Sequence, residues 1–333
     1  MPSSVILAIE SSCDDTSASV CIDGKIISNI VANQQIHEQY GGVVPELASR
    51  AHIQNIIPVV DTAIQQANIN KKTINAIAFT RGPGLLGSLL VGGVFAKTLS
   101  QTLAVPLIDV HHMEAHVMAH FIDAPQPTFP FLCLTVSGGH TQLVLVKDYL
   151  QMEIIGSTID DAAGEAFDKT AKMLGLKYPG GPILDQLAQQ GNPNAFKFTP
   201  SKVDSLDFSF SGFKTQVMYF LNKATQKNEH FIQENLNDLA ASIQQHIVNE
   251  LIRKLELAIE QYQVKQVGIA GGVAANSCLR NEINNIKNKY DIEVYIPKFE
   301  YCTDNAAMIA ICGYYKYLKN EFCDITIPIS PKI

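Results

Sequence analysis

The chain opens on an apolar run, Val5 to Ile9, followed by a polar turn and two more β-rich runs, Ser17 to Ile22 and Ile26 to Val31. A helical pattern then extends around Leu47 to Gln66, before further strand-like runs at Ile74 to Thr80 and Leu107 to Val110. Strand runs alternating with helical patterns predict an α/β lobe built on a mixed sheet. The loop Ala124-Pro125-Gln126-Pro127-Thr128-Phe129-Pro130 breaks this rhythm and is a natural boundary. Beyond it, the paired runs Phe131 to Val136 and Gln142 to Val146 start a second lobe.

The two lobes begin alike. Ile6 to Glu10, a polar turn and Ala18 to Ile22 parallel Leu132 to Val136, a polar turn and Gln142 to Val146, which points to an internal duplication. From Asp185 to Gln263 the pattern is mostly helical: Leu239, Ile243, Ile247, Leu251 and Leu255 recur every fourth position, as helices covering the second sheet require.

Composition narrows the class. With 333 residues, 47% hydrophobic and 17% charged, the chain carries enough apolar material for two ordinary domains. The N-terminus has no basic region or cleavage site, and no window reaches the roughly 18 apolar residues of a membrane span, so a cytosolic protein without a membrane partner is expected. Seven cysteines without a CxxC pair read as reduced and mostly buried. A net charge of -7 argues against autonomous tight binding to a phosphate backbone, which rests on many Lys and Arg contacts. A nucleic acid partner then needs a local basic patch or a helper subunit.

Several turns could carry chemistry. Ser11-Ser12-Cys13-Asp14-Asp15-Thr16-Ser17 sets hydroxyls and carboxylates between two strands, either to grip a phosphate or its metal, or as an ordinary Asx or Ser/Thr turn. Its counterpart, Thr135-Val136-Ser137-Gly138-Gly139-His140-Thr141, holds two glycines that either admit a ligand to the backbone or provide positive φ for a hairpin. Gly271-Gly272 follows the run Val267 to Ala270 and precedes a helix with Asn276 and Arg280; such a turn suits an adenosine or phosphate group, though it is neither a Rossmann nor a P-loop fingerprint. Arg81-Gly82-Pro83-Gly84-Leu85-Leu86-Gly87-Ser88 lacks the end of a P-loop and reads as a structural turn. Pro179-Gly180-Gly181-Pro182 leads into a helix with Asp185 in its first turn, where the carboxylate either offsets the helix dipole or accepts from a ribose. Asp168 either serves a ligand or pairs with Lys172 at i,i+4.

The strongest local signal is His111-His112-Met113-Glu114-Ala115-His116. On a helix His112 and His116 lie one turn apart on one face and can reach a single ion. His120 extends that face, but its Cα would sit about 12 Å from that of His112, too far to share the ion. A zincin needs HExxH; Glu114 is two positions beyond His112 and points about 200° away from it, which disfavours a metalloprotease. For a third ligand, Asp304 in Tyr301-Cys302-Thr303-Asp304-Asn305-Ala306-Ala307 is the best candidate, with helix capping as its alternative role.

Taken together, these segments resemble the TsaD family of tRNA threonylcarbamoyltransferases, once labelled O-sialoglycoprotein endopeptidases. The resemblance runs from Ile9-Glu10-Ser11-Ser12-Cys13-Asp14-Asp15-Thr16 through Val136 to Thr141, Gly164-Glu165-Ala166-Phe167-Asp168-Lys169 and Gly271 to Asn276. Asp15 stands where glutamate is more usual in that family; the carboxylate is kept.

The resemblance implies an α/β, actin-like ATPase (ASKHA) fold of two duplicated lobes with mixed sheets and flanking helices. Residues 1–110 with 305–333 are expected to form the first lobe and 111–304 the second, with a helical insertion. The implied reaction moves a threonylcarbamoyl group from threonylcarbamoyl-AMP to N6 of the adenosine 3′ of the anticodon in tRNAs reading ANN codons, releasing AMP. By motif position, Thr135, Val136, Ser137, Gly138 and Gly139 would line the adenylate, with Asp168, Gly181, Asp185 and Asn276 fixing its nucleotide. Ser12, Asp14 and Asp15 are phosphate-loop candidates, and Asp14 and Asp15 the candidates for a general base. One divalent metal ion per subunit, Fe²⁺ ahead of Zn²⁺, would sit on His112, His116 and Asp304. The implied partners are tRNA, a TsaB-like paralogue and a TsaE-like ATPase, with a TsaC-type enzyme making the adenylate; Lys214 is a candidate tRNA contact. Competing readings are a small-molecule kinase of the same fold, which would hold Mg²⁺ through oxygen ligands, and a catalytically inactive scaffold, against which the complete His112, His116, Asp304 set argues.

Overall fold

A computed structural model describes residues 3–332 and divides the chain into two compact units. The first comprises Met1–Gln126, Asp148–Gln151 and Pro297–Ile333, the second Pro127–Lys147 and Met152–Ile296.

In the first unit the chain runs β1 (Val5–Glu10), β2 (Thr16–Ile22), β3 (Lys25–Ala32), α1 (Pro45–Gln66), β4 (Ala76–Gly82), α2 (Leu86–Leu103), β5 (Leu107–His111) and α3 (His112–Met118). The strands form one sheet in the order β3-β2-β1-β4-β5. β1 is antiparallel to β2 and parallel to β4, and β4 is parallel to β5. The β2–β3 hairpin turns on Asp23 and Gly24, both at positive φ (50° and 78°), the backbone a tight two-residue turn requires. Leu7, Ile9 and Phe79 from the central strands pack with Ile56, Val60 and Ala63 of α1 into one core.

The second unit holds β6 (Phe131–Val136), β7 (Thr141–Asp148), β8 (Gln151–Ser157), α4 (Ala163–Met173), α5 (Gly180–Ala188), α6 (Ser211–Thr225), α7 (Phe231–Glu234), α8 (Leu236–Tyr262), β9 (Gln266–Ala270), α9 (Ser277–Tyr290) and β10 (Glu293–Tyr295). Its sheet order is β10-β9-β6-β7-β8. Matching β6 to β1, β7 to β2 and β9 to β4 reproduces the first sheet strand for strand, with the same antiparallel and parallel pairings. The duplication expected from two similar openings therefore extends through both sheets. The chain then returns to the first unit with α10 (Ala306–Leu318).

One expectation is corrected. Residues 111–126 and 297–304 belong to the first unit: β5 passes straight into α3, which packs against α10, so no boundary can fall at 110. The region 185–263 is mostly helical as expected, interrupted by residues 189–210 between α5 and α6, which are largely irregular. The buried Lys254 of α8 holds that segment by donating to the carbonyls of Val203 (2.6 Å) and Ser205. Helix α2 carries Gly92-Gly93 in its middle. A Cβ at Gly92 would lie 2.1 Å from Ser11 Oγ, and one at Gly93 2.4 Å from Ile329 Cδ1, so these glycines mark close packing rather than a break. Among the described residues no helix is long and apolar enough to cross a membrane, and all seven cysteines are free thiols.

Candidate metal centre and glycine-lined turns

His111 ends β5 and caps α3: its Nδ1 accepts from the backbone N–H groups of Met113 (3.2 Å) and Glu114 (3.4 Å). The helix so started puts His112 and His116 one turn apart, with ring centroids 4.7 Å apart and planes at 84°. Asp304 arrives from the turn before α10. Capping of that helix falls to its neighbour, since Asn305 Oδ1 accepts from Met308 N at 3.1 Å. The capping role considered for Asp304 is thus filled, and its Oδ1 lies 3.5 Å from His112 Nε2 and 3.2 Å from His116 Nε2. One ligand atom from each of the three side chains falls within 4.8 Å of the others.

The donors are strongly perturbed. Burial alone would lower the His112 pKa, but the Asp304 and Glu10 carboxylates outweigh it and push it up to about 10. Burial would raise Asp304, yet the two imidazoles hold it well below the usual carboxylate range. His116, fully buried, is lowered by desolvation; its Nδ1 makes no hydrogen bond, and its Nε2 faces only the Asp304 carboxylate at 3.2 Å. A buried imidazole with one nitrogen unpartnered and the other facing a carboxylate is costly, and the cost is relieved where Nε2 gives its lone pair to a cation held with that carboxylate. Two imidazoles and one carboxylate, with positions left open, are a donor set suited to Fe²⁺ or Zn²⁺. His120 is not among these ligand groups. Glu114 lies instead within the field of Lys316, Asp109 and Glu321, as its helical direction required.

The turn after β1 is held from several sides. Ser11 Oγ donates to Ser88 O of α2 (3.0 Å), and Leu85 N donates to Ser12 O (2.7 Å), so the Arg81 to Ser88 segment is a buttress for this turn. The buried His52 of α1 places Nε2 3.0 Å from Cys13 O and Nδ1 2.7 Å from Thr16 Oγ1. A carbonyl can only accept, so Nε2 carries the proton and Nδ1 accepts from the threonine. Ser12 Oγ is buried without a hydrogen-bond partner. Burial, with repulsion from Asp14, Asp304 and Glu10, raises the Asp15 pKa to about 7.

In the second unit, the β6–β7 turn closes through Ser137 N donating to His140 O (2.8 Å) and His140 N donating to Ser137 Oγ (3.1 Å). Neither Gly138 nor Gly139 has positive φ, and a Cβ on either would meet nothing within 4 Å. Backbone geometry and local packing therefore do not demand glycine at either position. Thr135 and Val136 are buried strand residues. Gly164 opens α4 directly beneath the turn: a Cβ there would sit 2.4 Å from Ser137 O and 2.8 Å from Gly138 Cα. Gly271, at φ +86°, is pressed against Val136 O in the same way.

Asp168 and Asp185 both accept from backbone N–H groups. Asp168 Oδ1 accepts from Gly180 N (2.9 Å) and Gly181 N (3.1 Å), tying α4 to the start of α5, and does not pair with Lys172 as one reading had it. Asp185 accepts from Ser277 Oγ (2.6 Å) and Ser277 N (3.1 Å), while Asn276 caps α9 through Leu279 N (3.0 Å) and donates to Gln244 Oε1 (2.7 Å). These contacts link the Ser137 to Gly139 turn, Gly164, Gly180-Gly181 and Asn276 into one neighbourhood bordered by helix N-termini, where backbone N–H groups favour an anion.

Lys214 is not a free surface cation. Its Nζ lies 2.8 Å from Asp161 Oδ2, which Lys169 also approaches at 3.2 Å. Burial would raise Asp161, but hydrogen bonds from Lys214, Lys169 and Ser211 hold its carboxyl below the usual value. A depressed carboxyl stabilises the fold above its unfolded pKa and loses that contribution as pH falls through the folded one. Asp161→Asn is therefore expected to cost about 1–2 kcal/mol at pH 7, with the gap to the native protein closing in acid denaturation curves as the pH falls below the usual carboxylate range.

Glu10, Thr80 and His52 surround the candidate centre and its turn, yet the sequence reading assigned them no role. One signal was available: Glu10 is the sole charge in the otherwise apolar segment Val5–Glu10.

Comparison with known proteins now adds to this geometry. Residues 25–311 match the family model described as TsaD, tRNA N6-adenosine threonylcarbamoyltransferase. The chain is 61% identical to the tRNA N6-adenosine threonylcarbamoyltransferase of Christiangramia forsetii, over 97% of this chain and 96% of that protein. It is 58% identical to the protein of the same name from Riemerella anatipestifer, over 98% and 96% of the two chains. Among solved structures it is similar to T. kodakarensis HypF, with a TM-score of 0.66 at 14% identity over 95% of this chain and 48% of that one. At that identity the likeness concerns the fold alone, the actin-like ATPase architecture of two mixed sheets with flanking helices.

Proposed function

The chain belongs to the TsaD family of tRNA N6-adenosine threonylcarbamoyltransferases, and from that premise we propose that His112, His116 and Asp304 hold one divalent metal ion, Fe²⁺ ahead of Zn²⁺, that serves the transfer. The observation carrying this reading is the convergence of one ligand atom each from His112, His116 and Asp304 to within 4.8 Å of one another, with Asp304 Oδ1 facing both Nε2 atoms. When bound, such an ion supplies Lewis acidity toward carbamoyl or carboxylate oxygens of the donor.

The donor in this proposal is threonylcarbamoyl-AMP, and the acceptor the adenosine 3′ of the anticodon in tRNAs reading ANN codons. N6 forms a bond to the carbamoyl carbon, the carbon–oxygen bond to phosphate breaks, and AMP leaves with the electron pair. The exposed Gly138-Gly139 backbone and the start of α5 receive the adenylate, with Asp168, Asp185 and Asn276 fixing the helix starts around it. Because AMP is a good leaving group, positioning supplies much of the rate. Asp14 and Asp15 are the candidates to take the proton leaving N6, and a carboxyl raised to about 7 is in the range where a base works at neutral pH.

With a net charge of -7, tRNA binding draws on partners. Exposed apolar residues on two packed helices, Ile53 and Ile57 of α1 with Leu86, Leu90 and Val94 of α2, form a face suited to a TsaB-like paralogue, and a TsaE-like ATPase completes the set in the cytoplasm. The test is transfer of labelled threonine from its adenylate to unmodified tRNA, with and without these partners. Labelled N6-threonylcarbamoyladenosine is expected; no transfer in any combination, despite bound metal, would sink the reading in favour of a kinase.

A further inference from the structure

Glu10 is the last residue of β1, whose six positions are all buried, and its own side chain is fully enclosed. A carboxylate there is tolerable only if its oxygens are fully hydrogen-bonded. Oε1 accepts from Ser12 N at 2.5 Å, and Oε2 accepts from Thr80 Oγ1 and lies 3.3 Å from His112 Nδ1.

We propose that Glu10 is a positioning residue that fixes the ring of His112 with Nδ1–H directed at Glu10 and Nε2 directed at the metal position. This rests on the metal reading above. An ionised carboxylate can only accept, so the nitrogen facing it must carry the hydrogen. The other nitrogen, Nε2, faces Asp304 Oδ1 and is the one that sheds its proton to give a lone pair to an ion. A carboxylate behind a ligating imidazole orients it and raises its basicity.

The two histidines are unequal in this respect. His116 Nδ1 is buried with no hydrogen-bond partner, so only His112 is aligned in advance by the protein. The same carboxylate also holds Ser12 N, which links the alignment of the ligand to the turn carrying Asp14 and Asp15. Glu10 touches neither the metal position nor a substrate in this assignment; it acts through His112.

The test compares metal affinity, by competition with a chelator for Zn²⁺ and anaerobically for Fe²⁺, in wild type, Glu10→Gln and His112→Ala. Glu10→Gln keeps the shape and is expected to weaken binding about 10- to 100-fold, while His112→Ala loses binding to a greater degree. In Zn²⁺-loaded wild type, long-range ¹H–¹⁵N NMR correlations are expected to give His112 a metal-bound Nε2 and a protonated Nδ1 in slow exchange with water. This second readout needs no variant and decides the matter if Glu10→Gln does not fold. Wild-type binding with unchanged affinity in Glu10→Gln, or coordination of His112 through Nδ1, overturns this inference and leaves the metal site standing. Failure of the wild type to bind either ion overturns both.

Discussion

His116→Ala is expected to remove stoichiometric metal and lower threonylcarbamoyl transfer by more than 100-fold, beyond the roughly 10- to 100-fold typical when only an outer partner of a ligand is lost. The residue has a single polar contact, Nε2 to Asp304 Oδ1 at 3.2 Å, so its removal should disturb the fold little. Alanine leaves a small cavity, but it also abolishes a buried nitrogen without a partner, Nδ1, and these terms oppose each other. The metal-free variant should therefore melt within a few degrees of the metal-free native protein. What disappears is stabilisation by the ion, which for a native site at a thousandfold excess over Kd amounts to about 4 kcal/mol. Calorimetry with and without metal, alongside transfer assays, separates these effects. A variant that melts far lower without metal would assign His116 a packing role instead.

Gly164→Ala is expected to raise the KM for the adenylate donor by about 10- to 100-fold, equivalent to about 1.4–2.8 kcal/mol of binding. The new Cβ would fall 2.4 Å from Ser137 O and 2.8 Å from Gly138 Cα, and both are backbone atoms that cannot swing aside. The Ser137 to Gly139 turn must therefore shift, taking with it the backbone that receives the adenylate. Metal content should be unchanged, since every candidate metal ligand belongs to the first unit and Gly164 to the second. Steady-state kinetics over donor concentration, paired with metal analysis of the same preparation, reads both quantities. An unchanged KM would remove this turn from the donor site.

Much of the fold was legible because sheets of this kind impose simple patterns. Buried β1 and β6 read as continuous apolar runs, and α8 buries Leu239, Ile243, Ile247, Leu251 and Leu255 at an unbroken spacing of four. Other elements hid behind local chemistry. Helix α2 needs Gly92 and Gly93 for close approach to Ser11 and Ile329, and such glycines look like helix breaks in a linear reading. Strand β8 is largely exposed or half-buried, so it lacks an apolar signature.

The site shows the same division. Helical spacing alone aligned His112 with His116 and turned Glu114 away from them, and the structure bears out both directions. The role of Asp304 required three dimensions, because only the structure shows Asn305 taking the cap and releasing its neighbour. Asp168 was readable as polar and near a glycine pair, but its attachment to Gly180 N and Gly181 N spans a chain separation no local pattern encodes. Glu10 announced itself only as a charge in an apolar strand; its partners Thr80 and His112 come from other strands and helices.

The most direct test of the central claim is a chelation and reconstitution assay on the wild-type protein with its partners, threonylcarbamoyl-AMP and unmodified tRNA. Stripping the ion should abolish formation of N6-threonylcarbamoyladenosine, and adding one equivalent of Fe²⁺ under anaerobic conditions should restore it. Full transfer by verified metal-free protein would contradict the account.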